Sequence, residues 1–215
     1  MIRKSISIVY LVATLLAVAP ACAMETDQGV LTAERTLRAA ELRLAVDDVT
    51  LTLYRHASEE AEAALARNPN SAGANFVYFA ATGRILLADG ATKNLFALRA
   101  LDKQYLDKAI ALDPGYANAL AAKGGVLLDL PSLLGGDARE GLRLLRRATE
   151  LNPGGVGTRV SLARALAHDG DIDQARREAR RAAHLACIQG RRKSFDEASA
   201  LLEELGSSVA RASIN

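Results

Sequence analysis

The chain of 215 residues has no tryptophan, four phenylalanines, five tyrosines, two cysteines and five prolines. So few large rings exclude a core built on aromatic packing. Half of the residues are nevertheless hydrophobic, which leaves helices packed through alanine and leucine as the means of burying them. Two cysteines exclude a disulfide scaffold. The 27 basic residues nearly balance the 25 acidic ones, excluding a self-repelling disordered polymer and a generally basic nucleic-acid binder. The length suits one domain or two small ones.

What is present begins with an address. Arg3 and Lys4 precede an uncharged apolar run from Ile6 to Ala19, then Pro20 and the small triplet Ala21-Cys22-Ala23. That order is that of a secretory signal, so residues 1–23 are expected to be removed after Ala23 and the protein to work in the periplasm. A bilayer crossing takes roughly 20 residues as helix, more than this run supplies. Cys22 offers an alternative as a lipid-bearing first residue, although Ala19 stands where such a site favours a large aliphatic side chain. Removing Arg3 and Lys4 leaves 25 basic residues against 25 acidic ones, and one cysteine, Cys187, which has no internal partner.

After Gly29 apolar residues recur at three and four positions among Ala, Leu, Arg and Glu, a helical pattern nearly throughout. The β-branched stretch Asp48 to Tyr54 reads as a helix start, because helix formers follow it. Three segments end alike: Ala64-Leu65-Ala66-Arg67-Asn68-Pro69, Ala109-Ile110-Ala111-Leu112-Asp113-Pro114 and Ala148-Thr149-Glu150-Leu151-Asn152-Pro153. Proline disfavours helical geometry in the residue before it and lacks a donor, so each is a helix stop. A stop repeated three times implies a repeated unit.

These stops, with Gly124 between Leu120 and Leu127 and with Ala175, Ala179 and Ala182, resemble the tetratricopeptide repeat, a helical hairpin of ~34 residues. The resemblance implies an all-α solenoid of helical hairpins with irregular insertions, because 45 positions separate Pro69 from Pro114 and 39 separate Pro114 from Pro153. It places an N-terminal helical capping region at 24–56, repeats at 57–187, and a capping helix and tail at 188–215. Phe195, Ala198, Leu201, Leu202 and Leu205 would form the covering face of that helix and Gly206 its stop. Three departures stand out: Phe79 for a small residue, Asp102 for an alanine, and Cys187 where the last proline would be.

No motif carries chemistry. Pro131-Ser132-Leu133-Leu134-Gly135-Gly136-Asp137 has glycines that could cradle phosphate, but no Lys-Ser or Lys-Thr follows, and Asp137 with Glu140 reads as a helix cap. The signal, the irregular repeats and Leu-Gly-Gly-Asp together also resemble the periplasmic T-component type of TRAP transporters, which implies a role beside a solute-binding protein. Asp169-Gly170-Asp171-Ile172-Asp173 lacks the rest of a calcium loop, having Gln174 and Arg180 at its key positions, and Asp171 with Gln174 reads as another cap. His56, His168 and His184 lie far apart with no metal spacing. Cys187 with His184 lacks an orienting carboxylate. The expectation is a protein with no catalytic residues, no metal and no cofactor.

The register points Phe76, Ala80, Asn118, Ala121, Gly125, Val160 and Arg164 toward the concave groove. That lining is mostly small or apolar, fitting a helix or apolar segment of a protein partner. Arg176, Arg177, Arg180 and Arg181 form a second candidate, a contact for an anionic surface, with a solvated face as the bland reading. The expected function is therefore a non-enzymatic periplasmic scaffold. The alternatives are a carrier of a small hydrophobic ligand and a lipid-anchored subunit of an envelope assembly. Neither a nucleic-acid partner nor a transmembrane helix in the mature chain is expected.

Overall fold

The computed structural model describes residues 27–43, 45–90 and 94–212. The signal segment, and with it Cys22, lies outside the described residues. In chain order the helices are α1 (Gln28–Glu41), α2 (Asp48–Arg67), α3 (Ala72–Ala88), α4 (Leu95–Leu101), α5 (Asp107–Leu112), α6 (Ala117–Asp129), α7 (Ala138–Leu151), α8 (Val156–His168), α9 (Ile172–Ile188) and α10 (Arg192–Ala212). A π-helical turn, Asp102–Leu106, joins α4 to α5, and a 3-10 turn, Ser132–Leu134, precedes α7. Successive helices pack as antiparallel hairpins: α1 with α2, α3 with the α4–α5 segment, α6 with α7, and α8 with α9, with α10 laid over the end. The expected all-α, tetratricopeptide-like hairpin solenoid is what the chain forms.

The three proline stops act alike. α2, α5 and α7 end at Asn68, Asp113 and Asn152, the first two in extended geometry, and each of these residues donates its backbone N–H four positions back, to Ala64, Ala109 and Ala148. The helices that open on the opposite edge carry aspartate caps. Asp47, Asp137 and Asp171 accept from the backbone of Thr50, Glu140 and Gln174 at 2.8, 3.0 and 3.0 Å. Each cap is worth about 1 kcal/mol. These two signals set several of the turns.

Alanine makes the stacking close. Ala33, Ala40, Ala57, Ala61 and Ala81 are fully buried in the first cluster, and Ala163, Ala175, Ala179, Ala182, Ala186 and Ala198 in the last. The tightest approach is between α6 and α7. A Cβ on Gly124 would meet the Gly141 carbonyl oxygen at 2.9 Å and Leu145 Cγ at 2.7 Å, and one on Gly141 would meet the Gly124 carbonyl at 2.8 Å. Leu120 and Leu127 are buried on either side, as the repeat pattern implies. Phe79, the bulky departure, is buried between α3 and α6 beside Leu101, Leu106 and Ala119.

Two expectations change, and one departure is resolved. The boundary at residue 57 falls inside α2, whose hairpin with α1 makes residues 28–67 a unit like those that follow. Gly206 does not stop α10, which runs on to Ala212, because no residue that breaks a helix follows it. Where a proline is missing at Cys187, α9 continues to Ile188 and turns at Gly190, whose φ is +65°. Ala198, Leu201 and Leu205 do cover the last hairpin, while Phe195 remains 37% exposed.

Gly124→Ala is expected to lower stability by about 1–3 kcal/mol, because an added methyl must push two backbones apart. Gly125→Ala, where a Cβ would meet nothing within 4 Å, is expected to be neutral or to stabilise by up to about 1 kcal/mol. Urea unfolding of both variants, followed by circular dichroism, separates the two positions.

Candidate functional site

Helix stacking decides which face is concave. First helices of neighbouring hairpins pack on one another at three junctions, α1 on α3, α6 on α8 and α8 on α10, while at the fourth α6 packs on the π-turn and α5, and no pair of second helices packs comparably. Closer packing on one side curves the array toward that side, so α1, α3, α6, α8 and α10 line the inner face.

The front of the groove is already filled. Tyr116, at the N-cap of α6, donates its hydroxyl to Glu34 Oε1 at 3.2 Å and so ties α6 to α1. Its ring meets Phe76 of α3 edge-on at a centroid distance of 5.1 Å. Burial first, and the Glu34 carboxylate second, push the Tyr116 phenol well above its ordinary range. Phe76 and Ala80 are consequently half-buried in contacts between helices rather than presented as an open lining.

Farther along, the inner face is open. Asn118 is exposed at the start of α6, Ala121 is half-buried one turn on, and Gly125 looks into empty space. Arg164 of α8 is exposed. It opposes the effect of burial on Asp129, whose carboxyl is raised above its ordinary value. Val160 does not line this channel: it is 2% exposed, in the core with Leu145, Val156 and Leu166. α8 is apolar around most of its circumference because α6, α7, α9 and α10 all touch it, so periodicity alone does not reveal its inner stripe. Spacings of four and three put Gly157, Ser161 and Arg164 on that stripe. Sequence reasoning missed Gly157, around which a Cβ would also find nothing within 4 Å. Its signal was the position seven residues before Arg164.

From behind, α6 is held by charge. Lys123 Nζ donates to Asp102 Oδ1 at 2.7 Å and Oδ2 at 2.9 Å, and pairs with Asp107 Oδ1 at 2.6 Å. Arg99 donates to Asp102 Oδ2 at 2.9 Å. Asp102 is completely buried at the start of the π-turn, so the departure from alanine is a buried carboxylate with two cationic partners. Lys123 was missed, although a lysine inside an apolar helix is itself a signal that a buried acid awaits it.

The remaining candidates are separate from the groove. Arg177, Arg180 and Arg181 are exposed on α9 and Arg176 is half-buried. Glu178, largely buried, accepts from Arg159 at 2.6 Å and from Arg181 at 2.8 Å. The Pro131–Asp137 insertion is structural: Gly135 has φ +88°, a Cβ on Gly136 would run into the Leu130 carbonyl, and Asp137 donates its N–H to the Leu127 carbonyl at 2.9 Å. Among the described residues near the two insertions, Phe96 and Leu133 are 75% and 95% exposed. A recess of about 300 Å³ lies elsewhere, against Leu65, Tyr78, Tyr105 and Lys108. Among the described residues no three His, Cys, Asp or Glu side chains gather where they could hold a metal, and no helix is long and apolar enough to cross a membrane.

No protein-family model matches the chain, and no curated protein matches it. Among solved structures it is similar to TTC0263, a thermophilic TPR protein in Thermus thermophilus, at 18% identity over 85% of this chain and 100% of that one, with a TM-score of 0.49. It is also similar to MamA protein, at 19% identity over 75% and 82% with a TM-score of 0.43, and to the MamA RS-1 ArsTM double mutant, at 16% over 85% and 96% with 0.45. Likenesses this distant carry no argument about what this chain binds.

Lys123→Met is expected to lower stability by about 3–5 kcal/mol, because Asp102 would stay buried with one cation fewer. Asp102→Leu added to it is expected to restore part of that loss. Burial raises the Asp107 carboxyl, but Lys123 and Lys103 together outweigh it and hold the group below its ordinary value. The stability it contributes is therefore complete above about pH 4 and is lost as pH falls through the lowered folded value. Urea unfolding at about pH 7 and about pH 3 measures both effects, and Lys123→Met is expected to flatten this part of the pH dependence.

Proposed function

We propose that the chain is an exported, non-enzymatic scaffold that works in the periplasm and holds a helical or apolar segment of a protein partner in the groove over α6 and α8. The observation that carries this reading is the open inner stripe itself. Asn118 and Arg164 stand exposed beside Gly125, at which nothing fills the space a side chain would take. A small-residue floor lets a partner's backbone come close, and the amide and guanidinium at its margin supply direction to the hydrogen bonding. A role beside a solute-binding protein of a transporter is one form of this function.

Gly125→Leu and Arg164→Glu alter the groove without entering the core. Affinity capture from the native envelope is expected to recover a partner with the wild-type chain and to lose it with both variants, at unchanged melting temperature. Equal recovery by all three would sink the groove assignment. Intact mass of the exported protein tests the address: a chain beginning at Met24 is expected, and a mass carrying acyl groups on Cys22 would replace cleavage after Ala23 with lipid anchoring.

A further inference from the structure

The chain, whose formal net charge is only +2, is electrically polarised along its outer face. α2, at one end, carries Asp48, Glu59, Glu60 and Glu62 against Arg55 and Arg67. At the other end α7 carries Arg139, Arg143, Arg146 and Arg147 against Glu140 and Glu150, and α9 carries Arg176, Arg177, Arg180 and Arg181 against Asp173 and Glu178. Arg146 donates to Gln174 at 3.1 Å, so the two arginine-rich helices present their surfaces side by side. Several of the acids are already engaged: Glu140 with Arg143 at 2.6 Å, Glu150 with Arg147 at 3.2 Å, and Glu178 with Arg159 and Arg181. Arg139, Arg177 and Arg180 are exposed and pair with no carboxylate among the described residues.

This field ends in an apolar tip. Arg177, Arg181, His184 and Ile188 succeed one another at four, three and four positions, one stripe of α9. Ile188, the last of them, is 69% exposed. Past the Gly190 turn come Arg191, Arg192 and Lys193, then Phe195, 37% exposed. Cys187, Arg191, Arg192 and Phe195 line a shallow recess there. Arg192 is already paired with Asp196 at 3.0 Å, and two unburied apolar side chains beside the remaining cations fit poorly against a purely acidic protein face, which would satisfy the guanidinium groups and leave Ile188 in water. An anionic bilayer accepts both, phosphates meeting the arginines while the apolar tip settles at the boundary with the acyl chains. We propose that the outer face of α7 and α9, led by Ile188 at the end of α9 and by Phe195 just past the Gly190 turn at the edge of α10, docks on an anionic phospholipid surface. The groove, on the opposite face, stays free in that orientation.

The test is vesicle flotation of the chain starting at Met24, which keeps every described residue and leaves out the apolar run Ile6 to Ala19. Binding is expected to vesicles of phosphatidylglycerol in phosphatidylcholine, not to phosphatidylcholine alone, and to weaken with salt. Arg139→Gln, Arg177→Gln and Arg180→Gln combined are expected to reduce partitioning roughly tenfold to a hundredfold. Ile188→Ser is expected to remove the part of the binding that survives high salt. All four positions are exposed, and circular dichroism confirms that the variants keep their helices. Equal binding to both vesicle types, or a triple variant that binds like the wild type, would overturn the proposal. So would arginine-dependent binding to polyglutamate with none to vesicles, which would assign the face to an acidic protein instead.

Discussion

Two helix backbones can touch only where neither carries a side chain, and the crossing of Gly124 on α6 with Gly141 on α7 is such a place. Much of the array hangs on that contact. Because α7 lies so close, Leu145 reaches into the cluster that α8, α9 and α10 share, and Leu120, Leu127, Leu144 and Ala148 close a smaller one beside it. The same economy runs through the other hairpins, where fully buried alanines stand in for the large rings the chain does not have. A solenoid packed this way gains little from any one side chain and depends on uniform small spacing.

Toward the N-terminal half, spacing is less uniform, and polar groups take over part of the work. Phe79 fills the cluster between α3 and α6 with a ring where smaller residues pack elsewhere, and the second helix of that hairpin is interrupted by a π-turn that begins at Asp102. The carboxylate buried there is held by Lys123 and Arg99, an arrangement that is costly if incomplete and that fixes register when complete. Tyr116, bonded to Glu34 and set edge-on against Phe76, ties the same region together from the inner side. One region is thereby made stiff, and the channel farther along α6 and α8 is left open.

Inner and outer faces consequently have different chemistry. The inner stripe of α6 and α8 is nearly uncharged apart from Arg164 and Asp129, suited to the backbone and apolar atoms of a partner. The outer face of α7 and α9 is dense in guanidinium groups, suited to anions. A solenoid separates such surfaces because opposite sides of its stacked helices face in different directions while the buried alanines and leucines between them hold the stack.

Local chemistry was legible in the residues themselves. Asn or Asp before proline ends a helix by sterics that need no tertiary partner, so the stops after Arg67, Leu112 and Leu151 could be read directly. The caps at Asp137 and Asp171 are equally local. Gly124 could be recognised because a glycine flanked by leucines at helical spacing has few uses other than close approach. What faced the groove could not be read in the same way: Val160 and Ser161 are neighbours on a helix surrounded on several sides, and only the positions of α6, α7, α9 and α10 make one of them core and the other inner surface. The pairing of Asp102 with Lys123, 21 residues away, likewise depends on a π-turn and a hairpin packing that no local pattern encodes. Most helix starts and stops were therefore written in the residues around them, because those signals act over a few positions. Which faces became inner, outer or buried was settled only when the hairpins stacked, because that depends on every neighbour a helix acquires.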